Sequence, residues 1–245
     1  MRLSFALLTL FIAINIYAQS DKTKSKIIFI APIYELQFPL ADMKTDFGIN
    51  SNLGLELSLI NDNNIYLSMS GSFLFGSRVK DTTILDHLMD NNYNIIDNNG
   101  QIAEILLNQR GFNTSLKLGY LYPIIHENSG LLAYGSIGFH QHKIHIDVKN
   151  SAVPQLSTEH KKMYDQLASG LSTSAFMGYF SISKRSGIHF YAGMELMRAF
   201  SYNQRSYNHL VGGPIEKMRN DSFLGFKFGW IVPISKRSTK EFYYF

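Results

Sequence analysis

Three histidines lie close together in the middle of the chain, in the stretch His140-Gln141-His142-Lys143-Ile144-His145. Because side chains alternate between the two faces of a strand, His140 and His142 share one face and His145 lies on the other. Two imidazoles on one face could jointly bind a metal ion. However, no cysteine or acidic residue stands at a fixed ligand spacing beside them. The sequence therefore predicts neither a metal centre nor another cofactor.

A hydrolytic site is the second chemistry that these residue types allow. Ser136 and Glu195, with His140 or His142, would supply the members of a Ser–His–acid triad, but nothing in their spacing demonstrates that they lie close together. The chain also lacks the Gly-x-Ser-x-Gly motif, a phosphate-binding loop and a paired-histidine zinc helix. We therefore expect no enzymatic activity from this chain.

The elements that would position these residues are strands, and the clearest one runs from Ser222 to Ile234. Apolar and aromatic residues occupy every second position of this stretch, with mostly small or charged residues between them. One face is therefore wholly apolar, which is typical of a strand in a transmembrane β-barrel. The residues that best define this predicted membrane-facing side are Phe226, Phe228 and Trp230.

The same alternation recurs along the chain and predicts eight strands. They are Ile27 to Phe38, Leu53 to Leu59, Ile65 to Phe75, Gly111 to Tyr122, Leu131 to Val148, Gly170 to Ser183, Ile188 to Phe200 and Ser222 to Ile234. The fifth strand is too long for one clean register, so we expect a β-bulge near Phe139 to Gln141. In the sixth strand the alternation is too weak to assign an outward face.

The first residues have the layout of a secretion signal. A basic start, Met1-Arg2, precedes an apolar run from Leu3 to Ile16 and a small residue, Ala18, at which cleavage is expected. We therefore divide the chain into a cleaved signal peptide, residues 1–18, and a single barrel domain, residues 19–245. The chain has no cysteine, which excludes disulfides, thiolate metal sites and a lipid anchor on cysteine.

The predicted connections alternate between short polar turns and long links. Short turns follow the second, fourth and sixth strands, and longer links follow the first, third, fifth and seventh. Outer-membrane barrels have short periplasmic turns, long extracellular loops and an even strand number. The fold expected is thus all-β, an eight-stranded antiparallel up-and-down transmembrane β-barrel in the outer membrane, with both termini periplasmic. A soluble barrel or sandwich is the alternative.

If the apolar faces meet lipid, the opposite faces place a set of charged residues in the lumen. This lumen charge cluster consists of Glu35, Glu56, Lys117, Glu195 and Lys227. An eight-stranded barrel is just wide enough for side chains to fill, so we expect these charges to pair as a polar plug. A gated path for ions or protons through the same residues is the alternative.

Two of the long links are expected to hold short helices. In the link from Gly76 to Arg110, the segments Thr83 to Met89 and Gln101 to Asn108 have apolar residues at helical spacing. In the next long link, Ser157 or Thr158 could cap a short helix that continues through Lys161 to Ala168. The last long link is basic, and its Arg205, Lys217 and Arg219 could contact anionic sugars of the outer leaflet.

The signal, the eight alternating strands and two segments, Arg110 to Tyr122 and Ser151 to Leu156, together resemble small outer-membrane barrel proteins of the Bacteroidota. Members of that group are mostly uncharacterised, and some barrels of this kind are accessory parts of secretion or gliding machinery. The resemblance implies a membrane complex as a partner and assigns no functional residue. The chain departs from the usual barrel pattern, in which the last strand ends the chain, because a polar tail separates that strand from the terminal Phe242-Tyr243-Tyr244-Phe245. Either the end of the last strand or this terminal segment could be the barrel-assembly signal.

The function predicted from the sequence is that of an integral outer-membrane protein with a plugged polar lumen. It would act as a structural or binding component, through its extracellular loops or within a membrane complex. The expected partners are outer-membrane lipid and lipopolysaccharide, the barrel-assembly machinery during biogenesis and an envelope protein complex. The formal net charge of +4 gives no reason to invoke nucleic acid. A narrow channel for small solutes and a lipid-modifying enzyme are the alternatives.

Overall fold

Eight antiparallel strands form a closed ring in a computed structural model, which describes residues 26–126, 129–149, 152–182, 187–209 and 211–234. Each strand pairs with the next along the chain, and β8 pairs with β1 to close the ring. The strands are β1 (Ile27–Ala41), β2 (Asn50–Ile60), β3 (Ile65–Gly76), β4 (Glu104–His126), β5 (Ser129–Lys149), β6 (Ala168–Ile182), β7 (His189–Asn203) and β8 (Arg219–Trp230), followed by a two-residue β9 (Val232–Pro233). The fold class predicted from the alternation is confirmed: this is an up-and-down β-barrel.

The turn between β2 and β3 shows how local sequence fixes the register of a hairpin. The Asn61 side-chain oxygen accepts hydrogen bonds from the backbone N–H groups of Asn63, at 3.0 Å, and Ile65, at 2.8 Å. Asn64 adopts a left-handed backbone conformation with φ of 62°, which asparagine tolerates better than most residues. The strands then pair without interruption from Ile60–Tyr66 to Ser51–Phe75.

Side chains alternate strictly between the inside and the outside of the ring. On β2, for example, Glu56 and Ser58 are buried in the interior, whereas Leu55 and Leu57 are exposed outside. The same holds on β8, where Phe226, Phe228 and Trp230 point outward and Lys227 is buried. The apolar face of the strands is therefore the outer surface, opposite to that of a soluble barrel with an apolar lumen.

The ends of the barrel interior are filled by two apolar clusters. One lies at the short-turn end, where β2 is joined to β3, β4 to β5 and β6 to β7, and it includes Phe29, Tyr66 and Phe180. The other lies at the opposite, long-link end, where β1 is joined to β2, β3 to β4, β5 to β6 and β7 to β8, and it includes Phe47 and Phe223. Between the two clusters the interior is polar.

The predicted bulge in β5 is wrong. The strand pairs in unbroken register with both neighbours across Phe139 to Gln141, and the irregularity on its β4 side lies instead between Pro123 and His126. The sequence pattern misled because Leu132 and Ile144 are apolar yet point inward, into the two end clusters. If the lumen is assumed to be polar throughout, an inward apolar residue is misread as an outward one, and the strand would then need a bulge to restore its alternation.

The predicted helix over Gln101 to Asn108 is also wrong, because β4 already begins at Glu104. Here Ala103, Ile105 and Leu107 lie at every second position and pack against the apolar cluster of the long-link end. The extension of β5 to Lys149 pairs with this segment, so backbone hydrogen bonding to a neighbour outweighs the local helical spacing.

The other predicted helices are present in shorter form. A 3₁₀ helix spans Thr83–Leu88, where an amphipathic segment was expected, and another spans His160–Met163. A third, Pro154–Leu156, was not predicted. A short α-helix, α1 (Asp42–Asp46), follows β1 and was not predicted. The helix expected through Lys161 to Ala168 is wrong beyond Met163, since β6 begins at Ala168.

Two predictions fall on residues outside the described ranges. These are the signal peptide, residues 1–18, and the terminal Phe242-Tyr243-Tyr244-Phe245 as an assembly signal. Among the described residues, none of the helices has the length and apolar character needed to cross a membrane.

Candidate functional site

The lumen charge cluster occupies the middle of the barrel interior. Glu35, Glu56, Lys117, Glu195 and Lys227 are all buried, with no more than 6% of any residue exposed. They come from five different strands, and the inward faces of those strands bring them to one level. Two ion pairs form there, Lys117 with Glu56 and Lys227 with Glu195, the second at 2.5 Å.

Hydroxyl groups complete the coordination of the Glu56 carboxylate. Tyr191 donates a hydrogen bond to Glu56 Oε2 at 3.1 Å, Tyr66 donates to Oε1, and Ser58 donates to Oε1 at 3.1 Å. A buried carboxylate is costly unless its lone pairs are satisfied. With Lys117 as its cationic partner, Glu56 has partners from three other strands, β3, β4 and β7, and from its own.

The second pair has its own set of partners on the other side of the lumen. Glu195 accepts a hydrogen bond from Ser174 and a longer one, at 3.3 Å, from the hydroxyl of Tyr134. The Tyr134 ring joins the two pairs, because the ammonium groups of Lys117 and Lys227 lie 5.2 and 5.9 Å from its centroid.

Glu35, the fifth member of the cluster, lies directly across the β1–β8 ladder from Lys227. Its carboxylate covers Gly225, where an added Cβ would lie 1.8 Å from Glu35 Oε1. Gly225 therefore provides the space in which this acidic side chain lies flat against the wall, beside the second ion pair.

A second polar group lies nearer the long-link end and contains His140, His142 and Asp221. All three residues are buried, at 0%, 2% and 0% exposure. His142 Nε2 lies 2.9 Å from Asp221 Oδ2, and one ligand atom from each residue lies within 4.8 Å of the others. Asp221 stands on β8 and the histidines on β5, so the contact crosses the lumen.

Two further residues hold this group in place. Asn113 Oδ1 accepts a hydrogen bond from His140 Nδ1, and Arg219 Nε donates to Asp221 Oδ1 at 3.3 Å. The same Arg219 guanidinium donates from Nη2 to Asp46 Oδ2 at 2.6 Å. Through Asp46, helix α1 is tied to the mouth of the barrel. The chemistry of the three central side chains, two imidazoles and one carboxylate, is that of a transition-metal ligand set.

The Ser–His–acid combination is not assembled. Ser136 donates to or accepts from Ser174 at 2.7 Å, and Ser174 in turn contacts Glu195, so serine and acid share one network. His140, however, lies four residues along the same strand from Ser136, a rise of about 13 Å. Since His140 contacts Asn113 rather than a serine, these residues have no nucleophile–base contact.

The basic residues of the last long link are mostly engaged within the protein. Arg205 pairs with Asp165 through Nε at 2.8 Å and Nη2 at 2.5 Å, and these hydrogen bonds raise the pKa of Arg205 above its usual value. Arg219 is bound to Asp46 and Asp221 as described. Lys217 is exposed. The surface available for anionic sugar is therefore smaller than the sequence suggested.

Comparisons with known proteins give structural neighbours and nothing closer. No protein-family model matches the sequence, and no curated protein matches it. Among solved structures, the attachment invasion locus protein Ail of Yersinia pestis is 7% identical, with a TM-score of 0.41 over 85% of this chain and 100% of Ail. Neisserial surface protein A is 7% identical, with a TM-score of 0.44 over 85% and 99%. The N-terminal barrel domain of Pseudomonas aeruginosa OprF is 13% identical, with a TM-score of 0.39 over 85% and 100%.

Sequence reasoning missed Asp221 and Asn113 as members of the histidine group. The sequence did indicate that Asp221 points inward, because it lies an even number of residues from Lys227 on β8 and therefore faces the same side of the strand. Its position beside the histidines of β5 follows only from the closure of the ring. Asn113 lies opposite His140 in the β4–β5 ladder, a pairing that needs the register of the two strands.

Proposed function

We propose that this protein is an integral outer-membrane barrel that acts as a structural or binding component of the cell envelope. The observation that carries this proposal is a continuous belt of exposed apolar side chains around the outside of the ring. Leu118, Ile137 and Met177 are 62%, 62% and 60% exposed, and all eight main strands contribute such residues. Water-soluble monomers rarely expose contiguous apolar patches above a few hundred Å².

Aromatic pairs on the outer face support the same placement. Phe38 and Phe226 lie 6.0 Å apart between ring centroids, and Phe190 and Phe228 are stacked at 6.0 Å. Aromatic residues are enriched where transmembrane barrels meet the two interfaces of the bilayer. The closed ring also leaves no strand edge in lipid, as a spanning sheet requires.

We propose further that the lumen is plugged rather than conducting. The support is the stacking of three filled layers: an apolar cluster at each end and the two ion pairs between them. An eight-stranded barrel has room only for its own interior side chains. A narrow channel would need water along the cluster. Reconstitution of the full chain in a planar bilayer should therefore give no discrete conductance steps, whereas reproducible single-channel openings would favour the channel alternative.

The two kinds of connection support an orientation for the proposed barrel. Outer-membrane barrels have short periplasmic turns and long extracellular loops, so both termini of this chain would lie in the periplasm. The long links expose Tyr93, Ile102 and Val211 at 84%, 66% and 64%. These residues are candidates for contacts with lipopolysaccharide or with a protein of an envelope complex. Recognition by the barrel-assembly machinery, membership of the Bacteroidota group and the absence of enzymatic activity remain predictions from the sequence.

The experiment that tests this function is fractionation of cells that express the full chain, followed by a cold detergent gel. The protein should be found in the outer-membrane fraction, and the unheated sample should migrate faster than the boiled one because the closed barrel stays folded in detergent. Recovery from the soluble fraction, with no mobility difference on heating, would contradict the placement of the apolar face in lipid.

A further inference from the structure

The histidine group contains buried polar atoms that the protein itself leaves without a partner. His140 Nε2 and His142 Nδ1 have no hydrogen-bond partner among the described residues, although both side chains are almost completely buried. Such orphaned atoms are uncommon and costly in folded proteins, so each one calls for a physical explanation. For His140 Nε2, a bound ion is the explanation that fits the neighbouring side chains, and His142 would reach the same ion through Nε2, the nitrogen that faces Asp221.

We propose that His140, His142 and Asp221 bind one divalent transition-metal ion of the Zn²⁺ class inside the barrel. Their three ligand atoms already face one another across the lumen, within 4.8 Å. Zn²⁺ binds imidazole nitrogen at about 2.0–2.1 Å and carboxylate oxygen at about 2.0–2.2 Å, so its ligand atoms lie roughly 3–4 Å apart. The 2.9 Å between His142 Nε2 and Asp221 Oδ2 is close to that spacing. The other distances between the ligand atoms are no more than 4.8 Å and would shorten to that spacing around a bound ion.

The surroundings of His140 orient its free nitrogen as a ligand. The ring donates its Nδ1 hydrogen to Asn113 Oδ1, and this leaves Nε2 with a lone pair. A metal-bound histidine typically donates its other ring N–H to an oxygen acceptor, which fixes the tautomer and the ring orientation. Asn113 supplies that acceptor, so it is a positioning residue for the proposed site.

Asp221 is likewise held in an orientation that leaves one oxygen for an ion. Arg219 contacts Oδ1, whereas Oδ2 faces His142. The positive charge of Arg219 would repel a cation, but Asp46 lies 2.6 Å from its guanidinium and offsets that charge. The group of Asp46, Arg219 and Asp221 thus carries one net negative charge. Two neutral imidazoles and a carboxylate favour Zn²⁺, Co²⁺, Ni²⁺ or Cu²⁺ over Mg²⁺ or Ca²⁺.

The test uses the full-length mature chain without a histidine tag, refolded from denaturant into detergent with and without Zn²⁺. After dialysis, metal analysis should find one tightly held Zn²⁺ per chain. Refolding in the presence of the ion matters because the site lies beneath the apolar cluster of the long-link end. Substitution of Co²⁺ should give the visible absorption of a low-symmetry nitrogen–oxygen site.

Matched variants decide whether these residues are the ligands. His140→Gln and Asp221→Asn should each weaken Zn²⁺ binding at least tenfold and abolish the Co²⁺ spectrum. Asn113→Ala should weaken Zn²⁺ binding by about 10–100-fold, since it removes the oxygen that orients His140. His145→Gln is the control, because His145 lies on the same strand but points outward and is exposed. All variants should retain the heat-dependent gel shift, which shows that the barrel has folded.

Two results would overturn the proposal. One is a wild-type chain that holds no Zn²⁺ after refolding with the ion, because refolding gives the ion access to the buried site. The other is retention of Zn²⁺ by the folded His140→Gln and Asp221→Asn variants, or its loss in His145→Gln, because the ion would then be held on the outer surface.

Discussion

Replacement of Lys117 by methionine should destabilise the barrel far more than removal of a surface lysine. The change leaves the buried Glu56 carboxylate without its cationic partner, and breaking a buried ion pair in this way typically costs about 3–5 kcal/mol. Glu56 retains the hydrogen bonds from Tyr191, Tyr66 and Ser58, each of which offsets part of the loss. We therefore expect the lower end of that range, about 3 kcal/mol.

The assay is urea unfolding of the refolded protein in lipid vesicles, followed by the fluorescence of Trp230, which is the only tryptophan in the chain. Lys162→Met is the matched control, because Lys162 is exposed in a long link. The double variant Glu56→Gln with Lys117→Met should recover most of the lost stability, since no unpaired charge remains. If Lys117→Met and Lys162→Met were equally stable, the ion pair would not be a structural part of the plug.

Two further predictions concern the wall of the barrel and its long links. Gly229→Ala should destabilise the barrel by about 1–3 kcal/mol, because the added Cβ would lie 2.3 Å from Cε1 of the buried Tyr191. Gly71→Ala is the control and should be nearly neutral in the same urea assay, because a Cβ added at Gly71 has no atom within 4 Å. The pKa of His87, in the 3₁₀ helix Thr83–Leu88, is lowered mainly by burial and secondly by the neighbouring His209. His87 therefore binds a proton more readily when the link is unfolded than when it is folded. The long links should therefore become easier to cleave by protease as the pH falls through about 6.5, and His87→Phe should lose that dependence; a flat cleavage profile in the wild type would contradict this reasoning.

The fold could be predicted largely from the sequence because one simple rule governs a barrel of this kind. Outward residues are apolar and inward residues are small or polar, so alternation identifies each strand. The rule fails where an inward residue is apolar, as at Ile144, and where an apolar stretch such as Ile105 to Leu107 extends a strand beyond the polar lumen. Both failures have the same cause, which is that the two ends of the interior are apolar.

The interior site was only partly predictable. The alternation of side chains along each strand places Lys117 and Glu56 inside the barrel. Which of the inward charges form pairs, however, depends on the stagger between strands that are far apart in sequence. The contact of His142 with Asp221 joins β5 to β8 across the lumen. A sequence pattern within one strand contains no information about that distance. The partners of the histidines therefore emerged only with the closed ring.

Trp230 allows the most direct test of whether the outer apolar face lies in lipid. Its side chain is on the outer face of β8 and 60% exposed. After refolding into vesicles that contain lipids with brominated acyl chains, its fluorescence should be strongly quenched, while a water-soluble quencher should have little effect. Strong quenching from water, with none from the brominated lipids, would show that this face contacts solvent and would contradict a membrane-spanning barrel.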